Sequence, residues 1–259
     1  MRRLLGFGRK PPPAPEGPAP SIPPGLRVYA IGDVHGRFDL LARLLARIEA
    51  DDAGRTPAES HIVLLGDLID RGPESRAVID HLLHHQPAFA TFHFVMGNHE
   101  EMLLRFADDP DATGMEQFLR YGGRETFESY DVPQRMLDLP DYYTNADLVG
   151  FIPAEHLDFL RAGRHGIRFG DYFFAHAGIR PGVPIEEQAE SDLRWIRGDF
   201  LTSEADHGVT VVHGHTVVRT PDVRTNRIGI DTGAYATGIL TALGLEGTER
   251  WWLNTDEAA

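Results

Sequence analysis

Residues 26–31 (LRVYAI) form an apolar run that stops at Gly32, and beyond it Leu40, Leu41, Leu44, Leu45 and Ile48 return at helical spacing. The pattern predicts a strand, a polar loop from Gly32 to Gly36, and a helix. Residues 61–65 (HIVLL) repeat this plan, with a glycine-bounded loop and a helix over 74–85, and residues 91–96 (TFHFVM) do so again, with a loop at Gly97-Asn98 and a helix over 99–106. Three strand, loop and helix units predict an α/β sheet whose loops gather at the C-terminal ends of its strands. Between about 108 and 163 the pattern breaks into short helical pieces, one over 115–121 and another opened by Pro153. Its expected role is a helical cap beside the site. From Gly166 onward the pattern is β: 166–169 and 172–175 flank a Gly170-Asp171 turn, and strands are expected at 209–213, 227–230, 239–245 and 250–253. Helix-bearing units followed by hairpins predict two sheets packed face to face with helices outside.

Composition narrows the chemistry. The chain has 259 residues, 42% apolar and 25% charged, and no cysteine. That is ordinary globular composition, and it excludes disulfides, thiolate zinc sites and a cysteine nucleophile. Lys and Arg total 25 against 39 Asp and Glu, a formal charge of −14, which argues against a protein that coats nucleic acid. No run is apolar and long enough to predict a membrane span. The basic opening MRRLLGFGRK lacks a secretory apolar stretch, so a cytoplasmic protein is expected. Proline dominates residues 11–24, so residues 1–25 are expected to form an extended, solvated tail, with the folded domain over 26–254 and a short tail at 255–259.

Five loops then carry the chemistry: Gly32-Asp33-Val34-His35-Gly36, Gly66-Asp67-Leu68-Ile69-Asp70-Arg71-Gly72, Gly97-Asn98-His99-Glu100, Ala175-His176-Ala177-Gly178 and Gly214-His215-Thr216. Each places Asp, Asn or His directly after an apolar strand. One such aspartate is common turn chemistry. Five sets at one sheet end have no explanation as scaffold, because uncompensated carboxylates are costly there. Carboxylates mixed with imidazoles suit Mn, Fe or Zn rather than calcium.

In this order, GDVHG, GDLIDRG, GNHE, HAG and HGHT resemble the calcineurin-like metallophosphoesterase superfamily, and within it the phosphoprotein phosphatase family of serine/threonine phosphatases, bacterial and phage-type. The resemblance covers about 26–253. It implies a four-layer αββα sandwich of two mixed sheets flanked by helices, and two divalent metal ions, manganese first, with iron or zinc as alternatives. It assigns Asp33 and His35 to one metal, Asp67 to a bridging position, and Asn98, His176 and His215 to the other. Close dications need an anion between them, and together they lower the pKa of a water so that it can attack phosphorus. The resemblance further implies His99, paired with Asp70, as general acid, Arg71 and Arg197 as clamps on the phosphoryl oxygens, and Tyr235 at the site entrance. A phosphorylated protein or a small phosphoester is the implied substrate.

Plainer roles are expected elsewhere. Glu100 suits a helix N-terminus. Strand alternation puts His213 on the same face as His215, behind it. His81, His84 and His85 read as a solvated helix face, Arg180 as a surface contact and Trp195 as a packing anchor. Two further enzyme readings share the fold. Diadenosine tetraphosphate hydrolases typically carry an ARG-like sequence at Asp70-Arg71-Gly72 and GNHD at Gly97-Asn98-His99-Glu100, and phosphodiesterases place GHxH at Gly214-His215-Thr216-Val217. A catalytically silent binding module would need a lost ligand, and every expected one is present.

Overall fold

A computed structural model describes residues 19–256. Most of the expected N-terminal tail, 1–18, and residues 257–259 lie outside the described residues. The three units read from the pattern are β1 (Leu26–Ile31), α1 (Phe38–Ala53), β2 (Glu59–Leu64), α2 (Ser75–His84), β3 (Ala90–Phe94) and α3 (Asn98–Asp108). The later strands are β4 (Ile167–Phe169), β5 (Tyr172–Phe174), β6 (Thr210–His213), β7 (Asp222–Val223), β8 (Arg227–Gly229), β9 (Thr241–Glu246) and β10 (Glu249–Asn254).

They form two mixed five-stranded sheets, ordered β10-β9-β1-β2-β3 and β4-β5-β6-β8-β7. The final hairpin does not extend the second sheet. It returns to the first, where β9 lies antiparallel to β1 with Val28 opposite Leu245. Strands β1, β2 and β3 are mutually parallel, as are β5, β6 and β8.

Period-two alternation sorts the side chains into layers. Val28, Ala30, Val63 and Leu65 meet Tyr172, Phe174, Val212 and Ile228 between the sheets. Tyr29, Ile31, Ile62 and Leu64 face outward onto Leu41, Leu44 and Ile48 of α1 and Val78 of α2. On the far face, Phe173 and Val211 are covered by Leu193 and Phe200. That outer layer is thin, two short helices at Glu190–Trp195 and Gly198–Leu201. The segment between α3 and β4 is a set of short helices, and its Phe118, Phe127, Met136 and Leu160 belong to the same apolar layer as α1 and α2. This region is therefore packed into the helical layer, not hinged over it.

The folded part begins earlier than Gly25. Ile22 is 1% exposed and its N–H donates to Gly247 O, while Ser21 bonds to the Asp171 carboxylate. One apolar residue inside a proline run is enough to seat it. At the other end Thr255 is buried and bonded to Leu240, so the fold extends past 254. Among the described residues no helix is long and apolar enough to cross a membrane.

At the edge of the first sheet, His93 lies 3.1 Å from His61. Burial, with His61 and Arg164 adding to it, pushes His93 from 6.5 down to about 4. The unfolded chain therefore takes up a proton that the folded chain refuses, and stability falls as pH drops from 6.5 towards 4. His93→Phe is expected to flatten that decline, measured as the urea midpoint against pH; an unchanged slope would remove His93 from the account.

Candidate metal centre

The parallel strands deliver their C-terminal ends to one edge, and the loops that leave them adopt backbone shapes that ordinary residues avoid. His35, Asp67, Asp70, Arg71 and His215 have φ of 46°, 48°, 72°, 68° and 62°, and Asp131 is the only other non-glycine with positive φ among the described residues. Such strain persists where packing over-determines it, and it collects at functional sites. Two glycines allow the loops to close: a Cβ at Gly97 would lie 2.2 Å from Asp67 Oδ1, and one at Gly214 would lie 2.0 Å from Asp33 Oδ1.

Glu100 fastens the second and third loops together. Its buried carboxylate accepts from the N–H groups of Gly97 and Asp67 at 2.9 Å, Leu68 at 2.7 Å and Ile69 at 3.4 Å. The expectation of a helix N-terminal role is met, and a larger role is added. Burial, and Asp67 nearby, push its carboxyl up to about 7, against the pull of those N–H groups.

Asp67 is the meeting point. Its Oδ1 lies 3.3 Å from His176 Nε2 and accepts from His99 N at 3.1 Å, and its Oδ2 lies 3.5 Å from His35 Nε2 and 3.8 Å from His99 Nε2. His176 donates from Nδ1 to Leu65 O at 2.7 Å, which leaves Nε2 as a bare lone pair. Around that lone pair stand Asn98 Oδ1 at 3.0 Å, His215 Nδ1 at 3.2 Å and Asp67 Oδ1. His35 is oriented alike, its Nδ1 donating to Ile69 O at 2.8 Å. Burial drives His35 down to about 3 and His215 to about 2, so both are neutral and ready to ligate. Burial opposes the Asp67 anion, but His176, His99 and His35 hold its carboxyl below the usual range. Buried acceptors aimed at one another are unfavourable alone, and a cation between them satisfies all of them. The donor set fits divalent cations, with Asp67 shared between a His35 side and a His176–His215 side. Asp33 completes the cluster, its carboxylate accepting from His215 N at 3.0 and 3.2 Å.

Beside this cluster His99 Nδ1 lies 2.5 Å from Asp70 Oδ2. Burial disfavours its charge, but Asp67 and the Asp70 hydrogen bond overcome that and raise His99 to about 9. Asp70 is itself gripped by the segment between α3 and β4: Thr126 Oγ1 donates to its Oδ1 at 2.5 Å and accepts from its N–H at 2.8 Å. Arg71 donates from Nη1 to His35 Nε2 at 2.8 Å, and its Nη2 lies 3.0 Å from His99 Nε2, where it works against the His99 charge. Gly122 of the same segment, at φ 113°, accepts from Arg71 N at 2.9 Å, and any Cβ there would strike Arg71.

The two arginines of the Leu193–Arg197 stretch separate. Arg194 is buried and paired with Glu101 of α3. Arg197 is exposed, has no hydrogen-bond partner for its side chain among the described residues, and its charge is felt by His176 and His215. Tyr235 stands at the opening, 38% exposed, its ring 5.4 Å from His35 and 4.8 Å from the Arg71 guanidinium. Trp195 is not a packing anchor: it is 43% exposed, 6.5 Å from the His215 ring, and its indole N–H donates to Glu101. His213 departs from the alternation argument as well. The strand ends at His213 and positive φ turns His215 away, so His213 packs on Phe200, 5.1 Å distant, while His215 meets His176 at 5.0 Å. Arg180 forms surface ion pairs with Asp192 and Asp199, and His84 and His85 are exposed, as expected, whereas His81 is half-buried with its ring 5.2 Å from that of Phe38. Thr126 and Gly122 carried no sequence signal. Asp231 did: it follows an apolar strand and precedes a glycine by two, as His176 does.

Known proteins place this arrangement. The profile described as calcineurin-like phosphoesterase matches residues 26–248. Serine/threonine-protein phosphatase 2 of Escherichia coli is 30% identical over 227 residues, covering 83% of this chain and 90% of that one. The symmetrical bis(5'-nucleosyl)-tetraphosphatase of Dechloromonas aromatica is 35% identical over 156 residues, but that match covers 60% of this chain and spans only 45% of the relative. The crystal structure of a cold-active protein-tyrosine phosphatase from a psychrophilic Shewanella shares the fold, with a TM-score of 0.53 and 22% identity over 97% of this chain and 89% of that one. Motif order, loop geometry and a match across nearly the whole described fold agree: this chain belongs to the calcineurin-like phosphoesterases.

Proposed function

We propose that this metallophosphoesterase is a phosphomonoesterase of the serine/threonine protein phosphatase type, with Asp33, His35 and Asp67 holding one divalent ion and Asp67, Asn98, His176 and His215 a second. The observation that supports this most is the convergence of buried acceptors on Asp67 with the His99–Asp70 pair alongside. Bound there, two divalent cations, manganese foremost and iron or zinc by the same donors, supply positive charge to the phosphoryl oxygens and lower the pKa of a water. Arg71 and Arg197 bind the phosphoryl oxygens from two sides, Arg giving planar, paired recognition. His99 holds its proton at Nε2 for the departing oxygen, and Asp70, fixed by Thr126, keeps the ring aimed. Two arginines beside one site suit the double charge of a terminal phosphate.

A second reading, a dinucleoside tetraphosphatase, is favoured by two half-exposed aromatic faces, Trp195 and Tyr235, that flank the cluster and could receive bases. One assay with manganese separates them: kcat/KM for a phosphoserine peptide, a phosphotyrosine peptide, diadenosine tetraphosphate and bis-p-nitrophenyl phosphate. The phosphopeptides are expected to lead. Preference for diadenosine tetraphosphate would install the second reading, and no turnover with any divalent metal would leave a binding module.

A further inference from the structure

Strand β8 runs parallel to β6, with Gly229 paired to His213, so Ile230 and Asp231 leave the second sheet at the edge where Gly214 and His215 leave it. The chemistry above draws on five strand-end loops and gives this sixth one no task beyond Tyr235. Yet Asp231 is 1% exposed. Its Oδ1 accepts from Gly233 N at 2.9 Å, and its Oδ2 has no hydrogen-bond donor. Its carboxyl lies against that of Asp33 and disfavours the charge there, while burial and Asp67 disfavour its own.

The backbone holds the two acids there. A Cβ at Gly32 would lie 2.6 Å from Ile230 O and 3.5 Å from Asp231 Cα, so the residue before Asp33 and the residue before Asp231 are pressed together. Val218 N donates to Asp231 O at 2.8 Å and ties the same turn to the His215 loop. A scaffold has no use for this arrangement. Two buried carboxyls with few donors cost stability unless positive charge lies between or beside them, and an amide or a serine would fill the turn without the penalty.

We propose that Asp231 is a positioning residue of the first cation site: it fixes the Asp33 carboxyl and adds the negative charge that strengthens binding of a divalent ion there. This rests on the assignment of Asp33 and His35 to that ion. With Asp231 the first side gathers Asp33, Asp67 and Asp231 around one neutral histidine, whereas the second has Asp67 alone among Asn98, His176 and His215. The first side therefore favours the harder cation.

The test is manganese binding to the full chain by calorimetry, with thermal unfolding in excess chelator as a second readout, for wild type and Asp231→Asn. The variant is expected to weaken one of the two ions by about 10- to 100-fold, the usual cost of losing an outer partner of a ligand, and to leave the other within about twofold. Its metal-free melting temperature should be equal to or above that of wild type, because a carboxyl repulsion is gone. Two unchanged affinities in a folded variant would overturn the role of Asp231, as would an equal loss at both ions with a lowered metal-free melting temperature, which marks a general packing role. Failure of wild type to bind two ions would instead overturn the metal-centre reading itself. Should Asp231→Asn not fold, Asp231→Ser carries the same expectations.

Discussion

Asp67→Asn is expected to lower kcat/KM by more than about 10³-fold, beyond the usual cost of losing one electrostatic contact to the transition state, and to reduce bound manganese from two ions to one or none. Asp67 is the member common to both groups of metal-competent side chains. Its oxygens divide between them, Oδ1 towards His176 and Oδ2 towards His35. Replacing the carboxylate by an amide keeps the shape and removes the charge that lets two cations sit side by side. The loop itself should survive. Asparagine tolerates the φ of 48°, the amide oxygen can still accept from His99 N, and the Asp67 N–H remains bonded to Glu100. In chelator the variant is expected to fold but to melt somewhat below wild type, because the attraction between the Asp67 carboxylate and the protonated His99 is lost. Turnover near the wild-type level, or lost turnover with both ions retained, would contradict the shared position of Asp67.

The parts of this site that were legible in the sequence are those encoded by local contrast. Asp33, Asp67, Asn98, His176 and His215 stand out because each follows an apolar strand in a polar loop, and strand and loop lie within a few residues of each other. What was hidden depends on distant pairs. Thr126 reaches Asp70 across 56 positions, Glu101 reaches Arg194 across 93, and no local pattern marks either. The same applies to the final hairpin: β9 and β10 look like any hairpin, and only the apolar face of Leu243 and Leu245 against Val28 and Ala30 sends them to the first sheet. His213 shows the limit of periodicity, which predicts a shared face only while the strand continues. Ile22 shows the limit of composition, since a proline-rich average conceals a single anchoring side chain.

His99→Asn is expected to lower kcat by about 10²- to 10⁴-fold on a phosphoserine peptide while both ions remain bound. The loss should depend on the leaving group. A seryl alkoxide is a poor leaving group that needs a proton as it departs, whereas p-nitrophenolate is stable as an anion, so the same variant should lose far less on p-nitrophenyl phosphate. This contrast separates proton donation from simple charge stabilisation of the phosphoryl group, which would affect both substrates alike. The ring is well placed for the first role: Asp70 holds Nδ1, and in the metal-free protein Asp67 and Asp70 raise the imidazole to about 9 despite burial. Arg71, 3.0 Å from Nε2, brings a second positive group to the same point; in the proposed roles the arginine would bind a phosphoryl oxygen while the leaving oxygen takes the histidine proton. Equal losses on the two substrates would assign His99 to charge stabilisation, and lost metal would assign it to the scaffold of the Asp67 loop, to which its own N–H donates.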